Sequence, residues 1–172
     1  FQEAEFNGDY DLLNETINAY SKQSPEDAEA LVREMASANS SSGAVVEAYI
    51  SGRAEQNPVA TAQWLANLPP SDPLYYEENN SRLMQVWAQS DSIAASEWLS
   101  QMPSGPPRDI AIDGFSKSIE RFEPEAAAIW ANSIGEPNRR VQRLEEIVRK
   151  WASRGLTNNR RTEALDWLNR AE

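Results

Sequence analysis

Apolar positions along the chain recur with the spacing of one helix face, and they do so in register from one stretch to the next. Pro25, Pro58 and Pro124 each precede such a stretch, and Ser92 stands where a fourth anchor belongs, giving steps of 33, 34 and 32 residues. Six positions after each anchor come Leu31, Trp64, Trp98 and Trp130, and the next residues are Val32, Leu65, Leu99 and Ala131. Ala28, Thr61, Ala95 and Ala127 lie three positions after the anchors, and Met35, Leu68, Met102 and Ile134 lie ten after. Small, large, large and apolar at i, i+3, i+4 and i+7 is one face of an α-helix. A fifth copy, Ala164, Trp167, Leu168 and Ala171, fits if the loop before it is a few residues longer. Leu31, Trp64, Trp98, Trp130 and Trp167 therefore read as core anchors between repeats, since aromatics bury more area than other side chains.

An amphipathic stretch also precedes each of these, so the unit is a helix pair. The spacing predicts first helices over 9–22, 42–55, 73–89, 107–121 and 138–154. Second helices are predicted over 25–38, 58–68, 92–102, 124–134 and 160–171. Prolines fall at the boundaries, as a fixed φ and a missing N–H require. Pro25, Pro58, Pro73, Pro107, Pro124 and Pro137 are placed in first turns, after Ser24, Asn57, Asp72 and Glu123 as capping candidates. Pro69, Pro70, Pro103 and Pro106 are placed after helix ends, and Asp91 can cap the unit that lacks its proline. Gly52 and Gly114 fall inside helices at about 1 kcal/mol each relative to Ala, which points to close helix approach. No strand pattern is present. The apolar stripes are too wide to be hidden within one pair, so the pairs must stack. The expected fold is all-α: a right-handed-type α-α superhelix, or solenoid, of five antiparallel helix pairs in a single repeat domain over 1–172. Its units are 9–38, 42–68, 73–102, 107–134 and 138–171.

The stretches from Arg53 to Pro69, from Trp87 to Pro103 and, loosely, from Phe115 to Ile134 resemble helical repeats of a largely uncharacterised bacterial group. That group's pattern is roughly W-A-x-x-D-P-x-x-A-x-x-W-L-x-x-L-P. The likeness covers 40–171 well and the first 40 residues weakly. It is TPR-like rather than a true TPR, whose Gly, Tyr and Pro are placed differently. Members of the group look exported or anchored, so the resemblance implies an extracytoplasmic location, periplasmic or anchored, more than any activity. The chain opens on Phe1 rather than Met, as expected of a processed or excised piece with room for a leader or anchor upstream.

Composition narrows the chemistry. The 172 residues contain neither cysteine nor histidine, which excludes disulfides, Cys/His metal sites and nucleophile-histidine arrangements. No D-x-D-x-D-G calcium loop occurs, and no cofactor or metal is expected. Glu77 with Glu78, and Glu120 with Glu123, do not face each other across a cleft as glycoside hydrolysis needs, and they read as a solvated face. The net charge is −11, which argues against nucleic acid, and no run is long and apolar enough to insert in a membrane.

That charge is unevenly distributed. Residues 1–136 hold 7 basic and 22 acidic side chains, whereas residues 137–172 hold 9 basic and 5 acidic. On a helix over 138–154, Arg139, Arg143, Lys150 and Arg154 form one stripe, and Val141, Leu144, Ile147, Val148 and Trp151 form the adjoining, buried sector. With Arg160 and Arg161 this makes a basic patch. It reads either as a dock for an acidic partner or the acidic end of a second copy, or as a solvated face pairing with Glu145 and Glu146. Tyr75 and Tyr76 cannot both face the core, and one is an interface candidate. The expected function is a non-catalytic scaffold that binds a protein or peptide. The alternatives are an accessory superhelical domain of a larger exported enzyme, and a self-assembling structural protein with basic-end to acidic-end contacts.

Overall fold

A computed structural model of the protein describes residues 2–38, 43–153 and 158–171. They form ten helices and, among the described residues, no strand: α1 (Gln2–Gln23), α2 (Pro25–Ala38), α3 (Gly43–Gln56), α4 (Pro58–Asn67), α5 (Asn79–Ser90), α6 (Ser92–Gln101), α7 (Pro106–Ile119), α8 (Pro124–Asn132), α9 (Pro137–Ser153) and α10 (Asn158–Ala171). Packing runs mostly between neighbours in the chain, as stacked helix pairs require. Contacts gather into two compact units, 1–87 and 88–172.

The caps carry the punctuation. Asn57 accepts from the Ala60 N–H at 3.0 Å to start α4, and Asp91 accepts from the Ala94 N–H at 2.9 Å to start α6. Pro25, Pro58, Pro124 and Pro137 each open a helix. Two prolines depart from expectation. Pro106, placed after a helix end by the sequence, opens α7. Pro73 opens no helix: α5 begins at Asn79 rather than 73, because Asp72 spends its carboxylate elsewhere. Its Oδ1 accepts from the Leu74 N–H at 2.9 Å in a turn, and both its oxygens accept from Arg33 of α2 at 2.8 Å.

In the unit 1–87, α1 lies against α3 through Gly52. A Cβ there would collide with the Asn18 carbonyl and come within 2.8 Å of the Ser21 Cβ, so the close approach expected of Gly52 is present. The core holds Ile17, Val32, Val46, Tyr49, Ile50 and Leu83. In the unit 88–172 it holds Leu99, Ile110, Ile112, Phe115, Ala127, Ala131, Ile147, Trp151 and Trp167.

In the first four units burial falls one residue after the expected anchor, while in the fifth Trp167 is itself buried, as expected. Val32, Leu65, Leu99 and Ala131 are the buried positions, whereas Trp64, Trp98 and Trp130 are half-buried and Leu31 is exposed. Leu31 is thus no core anchor, since helix α2 points the next residue inward instead. The tryptophans sit at the edge of the core, where Tyr49 meets Trp64 and Phe115 meets Trp130 edge to face. Ring centroids are 5.6 and 5.4 Å apart, with interplanar angles of 74° and 70°. Each pair is fifteen residues apart in sequence, so the two units repeat one aromatic contact.

Candidate functional site

Helix α9 was the sequence's strongest surface signal, and its setting is decided by the loop before it. Asp109, buried in the first turn of α7, accepts from the Gly135 and Glu136 N–H groups, both at 2.9 Å. The Glu136 carboxylate then caps α9, accepting from the Asn138 N–H at 2.9 Å and the Arg139 N–H at 2.6 Å. Arg140 donates back to the Ile134 carbonyl at 2.9 Å. These bonds fix how α9 is rotated about its axis.

That rotation buries Arg143, only 1% exposed, and overturns its place on a surface stripe. Its Nε donates to Ser116 Oγ at 2.8 Å, one terminal nitrogen to Glu146 at 2.9 Å and the other to Glu120. Asp113 lies 3.7 Å from Nε. Lys150 donates to the other Glu120 oxygen at 2.6 Å. Glu120 is consequently buried and paired, not on the solvated face expected for it. Burial by itself pushes its carboxyl pKa up, but the Lys150 hydrogen bond and the Arg143 charge outweigh burial and hold it below the ordinary value. A cavity of about 290 Å³ adjoins this cluster, lined by Asp113, Lys117, Glu136, Arg139 and Glu146 among others. Acids and bases alternate in it, so it carries no field of one sign.

The same rotation moves the apolar sector. Ile147 and Trp151 are buried as expected, but Leu144 and Val148 are only half-buried and Val141 is 53% exposed. Of the remaining basic candidates, Arg139 is half-buried, Arg154 lies outside the described residues, and Arg160 and Arg161 lie on α10. Tyr75 and Tyr76 are both half-buried in the irregular stretch before α5, not on a helix, with the buried Leu74 beside them.

A groove that sequence reasoning missed lies on α8 beside α9 and α10. It encloses about 590 Å³, with Trp151 as floor, Phe122 and Ile129 as walls, and Glu123, Glu125 and Glu163 around it. Phe122 is 79% exposed and Ile129 59%. Ile129 directly precedes Trp130 in the repeat, and its exposure could have been read from the same helical spacing that places Ala128 and Ala131 inside. Phe122 lies in the turn between α7 and α8, where periodicity gives no signal. The rim is not without basic neighbours: the Arg121 guanidinium lies 5.6 Å from the Phe122 ring centroid, and Arg170 reaches Glu125 at 3.4 Å.

Among the described residues no group of three or more carboxylates is placed to hold a metal ion, and no helix is long and apolar enough to cross a membrane. Compared with family models, curated proteins and solved structures, the chain matches none, and what its own geometry establishes is an all-helical protein whose neighbouring helices pack in sequence, consistent with a helical repeat.

Proposed function

We propose that the protein is a non-catalytic scaffold of stacked helix pairs that binds a protein or peptide, and that it receives a basic segment bearing a large apolar side chain in the α8 groove. One observation carries this reading: Phe122 and Ile129 stand exposed over an apolar floor while three glutamates surround them. Exposed apolar area rimmed by charge marks interaction surfaces, and carboxylates around it favour a cationic partner and steer its approach. The acidic partner suggested by the basic stripe is less well supported, because Arg143 is buried and Lys150 is engaged with Glu120. The TPR-like superhelix and the extracytoplasmic location belong to the same proposal and rest on the repeat pattern's resemblance to the bacterial group.

Calorimetric titration with a synthetic amphipathic helix of Leu and Lys, against a Leu and Glu helix of identical pattern, tests the groove. The Lys peptide is expected to bind and the Glu peptide to stay free. Phe122→Ala should weaken binding on the order of tenfold, the loss of one well-buried anchor, and Glu123→Lys with Glu125→Lys should abolish it. Reversing the exposed Glu34 and Glu97 changes net charge equally and should leave binding intact. Equal losses from both pairs of reversals would reduce the effect to bulk charge and overturn the reading.

A further inference from the structure

Two of the chain's own arginines sit at the rim of the α8 groove. The guanidinium carbon of Arg121 lies 5.6 Å from the Phe122 ring centroid, within the range of a cation–π contact. From α10, the Arg170 guanidinium reaches the Glu125 carboxylate at 3.4 Å. Neither contact is sheltered. The side chains of Arg170 and Glu125 are 68% and 56% exposed, and a wet pair of that kind contributes little to stability. Phe122 stays largely open to solvent with Arg121 beside it. Glu123, at the N-cap of α8, makes no capping bond with its side chain and is exposed, so its carboxylate also remains on the rim.

An aromatic face with carboxylates a few residues away suits a guanidinium better than an ammonium. Guanidinium is planar and weakly hydrated, so it can lie on a ring while its edge donates to a carboxylate. An ammonium is a compact point charge that holds its water more tightly. The chain makes both halves of that arrangement with its own side chains: one arginine at the ring and one at a carboxylate.

We propose that the groove selects arginine over lysine in its partner. The partner's guanidinium stacks on Phe122 and donates to the rim carboxylates, displacing Arg121 and Arg170, while its large apolar side chain seats on the Trp151 floor. Arg121 and Arg170 are thus competitors that occupy the cation's place until a partner arrives. This rests on the α8 groove being a receptor for a basic, apolar segment, and it adds the identity of the cation and a role for the two arginines.

Calorimetric titration with two amphipathic helices of identical pattern, Leu with Arg and Leu with Lys, tests it. The unaltered chain is expected to bind the Arg peptide more tightly by about threefold or more. Phe122→Leu keeps apolar bulk but removes the ring, and should erase most of that preference. Arg121→Gln with Arg170→Gln should tighten the Arg peptide by about threefold or more, because two exposed contacts no longer have to be broken first. Side chains that served only as groove wall would weaken binding when cut back. Lys22→Gln with Arg149→Gln makes the same change in net charge at exposed positions outside the groove lining, and should leave affinity as it was. An equal gain from that pair would assign the effect to bulk charge and overturn the competitor role. Equal affinity for the two peptides, or binding that is unchanged or weaker without Arg121 and Arg170, overturns the proposal and leaves the groove's reading standing. Binding of neither peptide overturns both.

Discussion

Arg143 occupies a position that helical spacing alone assigns to a charged stripe, yet it is among the most buried side chains of its unit. Its three nitrogens reach Ser116, Glu120 and Glu146, so removing it takes a cationic partner from the buried Glu120. Arg143→Met should therefore destabilise the protein by about 3–5 kcal/mol, the usual result of breaking a buried pair from one side, as read by urea denaturation. Adding Glu120→Gln to that variant should recover part of the loss, because the stranded charge is gone. The pH dependence follows from the lowered Glu120 pKa. The carboxylate contributes its full stability above its unfolded value of about 4.3 and loses it as pH falls through the lower folded value. In Glu120→Gln the fall in stability with acid across that window should be shallower, as measured by denaturation at a series of pH values. The local pairing with Glu146 was legible in the sequence, but the burial of Arg143 against Ser116 and Glu120 was not. Arginine at that spacing is compatible with either side of the helix, and the choice was made by Asp109 holding the Gly135 and Glu136 amides.

At the scale of elements, helix starts were largely readable, because a proline or a short polar cap acts on backbone groups within its own turn. The exception is instructive. Asp72 and Pro73 have the local form of a helix start, but Arg33, thirty-nine residues earlier, takes the Asp72 carboxylate and the chain turns instead, moving the start of α5 to Asn79. Gly52 was readable for a different reason: a glycine inside a helix gives up propensity, and contact is what compensates. Its contact is the backbone of α1 at Asn18. Gly52→Ala should force α1 and α3 apart and destabilise the protein by at least the 1–3 kcal/mol typical of overpacking. Thermal unfolding checks it, and an unchanged midpoint would show that α1 is not seated there. Ala at Gly43, where a Cβ meets nothing within 4 Å, is the control and should be neutral.

For the molecule as a whole, the net charge of −11 concealed an acidic body and a basic last stretch, and the structure shows that part of the basic charge is spent inward on Glu120, Glu146 and Asp113. Residues 88–172 have their own core and their own buried ion cluster. A fragment beginning at Ala88, just ahead of the Asp91 cap, should therefore be helical and melt cooperatively by circular dichroism. A gradual, uncooperative loss of signal would mean that this core does not suffice alone.

The sequence by itself determined that the chain is helical, where most helices begin, and that helix pairs recur about every 33 residues, because capping and apolar periodicity act within a few residues. Tertiary structure decided the rotation of each helix about its axis. Rotating a helix by one residue's 100° leaves its periodicity intact but exchanges which stripe faces inward. That choice buried Arg143, exposed Leu31 and Val141, and opened the groove at Phe122 and Ile129, because bonds between segments far apart in the chain, and not the spacing within one helix, fix the angle.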